Sequence, residues 1–215
     1  MDIIRDKETY IIKIVGIPTT IELHTILQQL RRYPTICGIF TSYDYSSKIR
    51  GTDVFLSIID RQEYVEIVQK KELKILDCRY RVEAHEWHYL SAYRTVSYHE
   101  AHPLHFKNGS ANLYIKGIKP HYKTTTGPLL AILKTFETNY KNQITGATLL
   151  IDRKRNITLN YGFINWYGLG VMKIMNNQEI EIRDLEYSVT CRFTPHASVI
   201  LSSHNKIALQ PIKEY

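Results

Sequence analysis

The sequence is poor in several features that would each have announced a class of protein. Of 215 residues only three are cysteines, Cys37, Cys78 and Cys191. Their odd number and the lack of C-x-x-C spacing argue against a disulfide framework, a zinc finger or a redox motif. No apolar run approaches the roughly 18 to 20 residues that span a bilayer. The opening Met1-Asp2-Ile3-Ile4-Arg5-Asp6-Lys7 leads into no apolar signal core. The expectation is an intracellular protein, in nucleus or cytoplasm, with no membrane partner. Missing too are a Ser/His/Asp order, a phosphate-cradling glycine loop and an HExxH pattern. No enzyme, cofactor or small-molecule substrate is therefore expected. With 44% hydrophobic and 23% charged residues, neither a wholly disordered chain nor a collagen-like or low-complexity one fits.

What is present is an excess of positive charge, unevenly placed. Twenty-eight Lys and Arg against 21 Asp and Glu give +7, which favours an anionic partner. Residues 9–87 hold 11 basic and 10 acidic side chains, whereas residues 112–193 hold 11 basic and 6 acidic, so most of the excess lies in the second half. Sixteen tyrosines supply flat rings that suit either a core or base stacking.

Periodicity organises the chain into a repeat. A β-rich run from Tyr10 to Ile17 ends at Pro18. Thr19 with Glu22 forms a capping-box pattern, and Leu23, Ile26, Leu27 and Leu30 recur at helical spacing, which predicts a helix over about residues 20–32. Strands are predicted over 35–42 and 52–59, joined by a polar stretch. Asp60 with Glu63 repeats the capping pattern before the apolar face of Tyr64, Ile67 and Val68, and 80–84 alternates again. The second half repeats this order: a strand over 113–118, a helix over 127–136 with Pro128 near its start, strands over 147–151 and 159–166, a weak helix near 169–175 and a strand over 187–193.

Two successive β-α-β-β-α-β units are the pattern of two ferredoxin-like domains. The predicted class is α+β, with two four-stranded antiparallel sheets in tandem, each carrying two helices on one face and leaving the other open. The boundaries read as 9–87, a linker over 88–111, 112–193 and an extension over 194–215 with a possible hairpin. The linker is rich in rings and histidines, among them Tyr89, Tyr93, Tyr98, Phe106, His99, His102 and His105. It is not a Gly/Ser spacer, and its length would let it lie across a sheet. The His spacing lacks the further ligands of a tetrahedral site, so no metal is expected.

The second unit resembles the RNA recognition motif (RRM) family. Leu113-Tyr114-Ile115-Lys116-Gly117-Ile118 resembles that family's hexamer and Leu159-Asn160-Tyr161-Gly162-Phe163-Ile164-Asn165-Trp166 its octamer, K/R-G-F/Y-G/A-F-V-x-F/Y. Six of the eight octamer positions agree. Leu159 and Asn160 depart from it. The first unit is similar less closely: Lys13 stands at the hexamer's surface position, and Asp53, Phe55 and Ser57 at those of the octamer. The resemblance implies single-stranded RNA as partner, bound mainly by the second unit in mRNA or other RNA processing. The alternative is a protein-interaction pair acting as a structural subunit of a ribonucleoprotein assembly, with a protein partner on the first unit.

Strand alternation independently puts Tyr114, Tyr161 and Phe163 on one face and the aliphatic set on the other. Two readings fit such rings, a platform for unstacked bases or strand aromatics covered by the linker or tail. Lys116, Asn165 and Arg192 fall on the same face. Arg153, Lys154 and Arg155, in the loop before the octamer, can attract phosphate. In the first unit Lys13 and Phe55 are the remaining candidates for RNA contact.

Overall fold

The computed structural model describes residues 10–44, 49–85, 110–121, 124–140, 144–152, 157–167 and 178–193. Within strands, the side chains at 42–44, 49, 110–112, 165–167 and 192–193 lie outside that description.

Alternation builds the first half. β1 (Tyr10–Ile14) buries Ile12 and Ile14 completely on one side, and the chain then turns at Gly16, whose φ of +80° suits a residue without Cβ. Helix α1 (Leu23–Gln29) leads to β2 (Ile36–Asp44) and β3 (Ile49–Ile58). Helix α2 (Arg61–Gln69) and the hairpin β4 (Glu72–Ile75) and β5 (Cys78–His85) complete this half. The second half repeats the plan with β6 (Ser110–Lys116), the positive-φ Gly117, helix α3 (Thr126–Asn139), β7 (Ile144–Asp152), β8 (Ile157–Tyr167), β9 (Glu179–Ile182), a 3-10 turn (Arg183–Leu185) and β10 (Tyr187–Phe193). The second helix expected near 169–175, the hairpin after 194 and the whole of 86–109 lie outside the described residues.

Among the described residues ten strands form one sheet, in the order β4-β5-β1-β3-β2-β7-β8-β6-β10-β9. Each half contributes five strands rather than four, because the short β4 and β9 add an outer rung beside β5 and β10. The order reads the same inward from either edge. At its centre β2 pairs antiparallel with β7, Gly38 facing Thr148, Ile39 facing Ala147 and Phe40 facing Gly146. Ile36-Cys37-Gly38 and Ile144-Thr145-Gly146 occupy the same place in their strands, so this seam has a local two-fold axis normal to the sheet. A Cβ on Gly38 would lie 2.9 Å from the Phe40 ring and 3.1 Å from Thr148 Oγ1. Glycine spares the seam this crowding.

The helices share one side of the sheet. Leu23, Ile26 and Leu27 of α1, Ile67 of α2, and Leu129, Ile132, Leu133 and Phe136 of α3 form a single core with Ile12, Ile14, Val54, Leu56, Ile58, Ile115, Ile164, Val189 and Cys191. The cluster runs unbroken beneath both halves. Burial raises the Cys191 thiol pKa to about 12, which makes it an inert core side chain.

Capping departs from the sequence pattern in one place and follows it in another. The N-cap of α1 is Glu22 and no side chain of its own segment caps it. The box of Thr19 and Glu22 does not form, because Glu137 of α3 takes the free donors: the Leu23 N–H at 2.9 Å and the His24 N–H at 2.8 Å. Asp60 does cap α2, accepting from the Gln62 and Glu63 amides. The Glu63 carboxylate reaches Thr35 instead, accepting from its amide and hydroxyl at 3.1 and 2.8 Å. The start of α3 is stitched to the approach to β2 as well. The Thr125 and Thr126 amides both donate to Pro34 O, Thr125 Oγ1 donates to Ile36 O, and the Ile36 amide donates to Thr126 Oγ1.

Glu137 is therefore a side chain of one half that completes a helix of the other. Bonds to a charged acceptor contribute about 1.5 to 3 kcal/mol each, and amides left bare in a buried site add a further cost. Glu137→Ala is expected to lower the unfolding free energy by about 2 to 4 kcal/mol, read from the midpoint and slope of urea denaturation of the full chain.

Candidate nucleic-acid interface

Among the described residues no helix packs on the opposite side of the sheet. In the second half that side is organised by the pairing of β6 with β8, which sets Leu113 opposite Ile164, Tyr114 opposite Phe163 and Lys116 opposite Tyr161. Leu113, Ile115 and Ile164 turn toward the helices, so Tyr114, Tyr161 and Phe163 turn away together. Ring centroids lie 5.6 Å apart for Tyr114 and Tyr161, 5.7 Å for Tyr114 and Phe163, and 6.4 Å for Tyr161 and Phe163. The three rings read from the sequence are a physical cluster.

They are not equally accessible. Tyr114 and Tyr161 are half-buried, whereas Phe163 is 1% exposed. Its ring packs against Tyr114 and Tyr161, its strand position lies between those of Tyr114 and Thr148, and in this structure it offers no free surface to a base. Lys116 is exposed beside Tyr161. The backbone register sets Arg192 beside Tyr114, and Asn165 beside Asn112 and Gly146. The side chains of Arg192 and Asn165 lie outside the described residues, as does the whole of Arg153, Lys154 and Arg155.

The first half presents the same positions with different chemistry. Lys13 and Asp53 stand where the second half has Tyr114 and Tyr161, and their side chains form an ion pair at 2.7 Å. Asp53 also accepts the Gly16 amide at 3.3 Å. The sequence placed a cation and a phosphate-repelling anion here; in the fold each neutralises the other. Phe55 stands where the second half has Phe163 and is likewise buried, 7% exposed, in a small cluster with Ile11 and Phe40. The His85 ring meets its edge at 5.1 Å. Phe40 was not picked out from the sequence, because as the fifth residue of an ordinary β-run it carries no motif. Its place at the seam, opposite Gly146, comes from the pairing of the halves.

In each half, then, the hexamer strand and the octamer strand are central neighbours in antiparallel register, with a ring-bearing face turned from the helices. The fold is that of two RNA recognition motifs in tandem. What decides this is the strand order and register of the chain itself.

No family model and no curated protein matches the sequence. Solved structures with two RRM domains are similar at low identity. The first two RRM domains of the yeast poly(U)-binding protein Pub1 match over 85% of this chain and 98% of theirs, with 10% identity and a TM-score of 0.31. RNA recognition domains 1 and 2 of Sex-lethal from Drosophila melanogaster match over 86% and 99%, with 10% identity and a TM-score of 0.32. The RNA-binding domain of Hrp1, solved in complex with RNA, matches over 85% and 95%, with 14% identity and a TM-score of 0.32.

The unequal burial of the three rings separates scaffold from surface. Phe163→Ala removes a fully packed ring, at an expected cost of about 3 to 5 kcal/mol in stability. Tyr161→Ala, at a half-exposed site, is expected to cost less than half as much. Urea denaturation of the two variants checks the ranking.

Proposed function

We propose that the protein binds single-stranded RNA on the helix-free face of its second RRM. The observation that carries this is the pair Tyr114 and Tyr161, two half-exposed rings 5.6 Å apart on one face, with the exposed ammonium of Lys116 at the adjoining position. Unpaired bases stack on such rings, and a cation beside them attracts the backbone. Phe163 packs against both rings on the same face. Asn165 and Arg192 hold register positions on neighbouring strands from which base edges or phosphates could be contacted, and the loop of Arg153, Lys154 and Arg155, between β7 and β8, adds attraction without sequence choice. A place in mRNA or other RNA processing, in nucleus or cytoplasm, rests on the resemblance to the family alone.

The first RRM is read as a supporting or protein-binding module. The Lys13–Asp53 ion pair replaces the two accessible rings, and Phe55 is enclosed with Ile11 and Phe40. That replacement favours a protein partner for this half over a second stacking site.

Because the halves share a ladder and a core, the test belongs in the full chain. The double variant Tyr114→Ala/Tyr161→Ala, folded, is expected to lose about 2 to 6 kcal/mol of affinity for a single-stranded RNA pool, measured by fluorescence titration, and duplex RNA is expected to bind less tightly than the single strand. Unchanged affinity in the folded double variant would refute the site. If Lys116 touches a phosphate, Lys116→Ala is expected to reduce the magnitude of the slope of log K against log salt by about 0.7.

A further inference from the structure

Besides the shared core, the joint between the two halves has three hydrogen-bonded parts: the three registered pairs of β2 and β7, the Thr125 and Thr126 bonds to 34–36, and the carboxylate of Glu137 at the start of α1. Only the third contains an imidazole, the side chain that ordinarily titrates near neutral pH. The Glu137 side chain is 6% exposed, and besides the Leu23 and His24 amides it meets His24 Nδ1 at 2.8 Å. We propose that His24 and Glu137 form a proton-sensitive latch between the two RRMs.

The charges around the imidazole are few and can be named. On its own segment Glu22 Oε2 lies 3.5 Å from Nδ1. From α3 come Glu137 and, as an opposing charge, Lys134, which is itself paired with Asp184 at 3.1 Å. From β3 comes Arg50, which donates to the Pro18 and Ile21 carbonyls just before α1 and acts electrostatically on Glu137. Partial burial disfavours the imidazolium, but the hydrogen bond to Glu137 outweighs it. The His24 pKa is raised above its ordinary 6.5, with the charges of Glu137 and Glu22 adding to the effect.

The sign follows from linkage. A group whose native pKa lies above its unfolded value contributes stability that is fully present below the unfolded pKa and is lost as pH rises through the native one. The latch is tightest in mildly acidic solution. Above the native pKa the neutral ring still donates from Nδ1, while the attraction between imidazolium and carboxylate is gone. The start of α1 then holds less firmly to α3, and a three-pair seam carries more of the joint.

The test uses the full chain, followed by amide exchange and denaturant midpoint from about pH 5.5 to 8.5, the window of a perturbed histidine. Protection of the Leu23 and His24 amides, corrected for intrinsic exchange, is expected to fall severalfold across the range in the wild type. In His24→Gln it is expected to stay near the wild-type alkaline level throughout. The ring resonance missing from His24→Gln identifies the titration of His24, which is expected to move to lower pH in Glu137→Gln. Identical pH profiles for wild type and His24→Gln, or a His24 titration unmoved by Glu137→Gln, would overturn the proposal. Should Glu137→Gln fail to fold, the comparison of wild type with His24→Gln decides alone.

Discussion

An RRM-like sheet ends at its β2 strand, and an edge strand exposes a row of unsatisfied amides and carbonyls that invites pairing with another chain. Here each half answers the problem with the other half's edge. The pairing of β2 with β7 has glycine at Gly38, where a Cβ would crowd the Phe40 and Thr148 side chains, and α1 and α3 meet on the helix side of the sheet. Once the helices meet, the core beneath them can be continuous, and Glu137 and the two threonines are placed to bond across the junction. Much of the molecule beyond the separate β-α-β-β-α-β units follows from this contact.

The halves differ in chemistry while matching in fold. At the positions where one half sets two rings side by side, the other sets Lys13 and Asp53. Both arrangements satisfy the sheet, since opposite charges on adjacent strands are as acceptable to a ladder as aromatic pairs are. Beside them Phe55 and Phe163 are retained as packed rings. The phenylalanine serves the packing of the sheet and the position beside it is free to vary, so a motif read along one strand mixes residues of two kinds.

How far this was legible in the sequence depended on the range of the interaction. Strand alternation in β1, β3, β6, β8 and β10 showed correctly which residues turn toward the helices, because that pattern is local. Asp60 was recognisable as a cap for the same reason. The four-residue β4 and β9 were missed: each buries only two apolar side chains, Leu73 and Ile75 or Ile180 and Ile182, too few to register as a period. Thr19 and Glu22 have the spacing of a capping box, yet a carboxylate 114 residues from Leu23 wins its amide, and nothing in the sequence marks Glu137 as different from a surface helix residue. Accessibility was the other blind spot. Alternation assigns a face to Phe163, but says nothing of whether that face is covered.

The local two-fold axis at Ile39 and Ala147 has a bearing on any polymer laid across the sheet. Because it stands normal to the sheet, it turns one half of the chain half a revolution relative to the other while keeping the same face upward. Equivalent strands run in opposite directions on its two sides. A nucleic acid strand has a 5′ and a 3′ end, so one drawn straight from β5 to β10 would cross the first module in the reverse sense to the second. A mode of contact suited to one polarity can fit one half or the other along such a path, never both, and a single strand could use both alike only by doubling back.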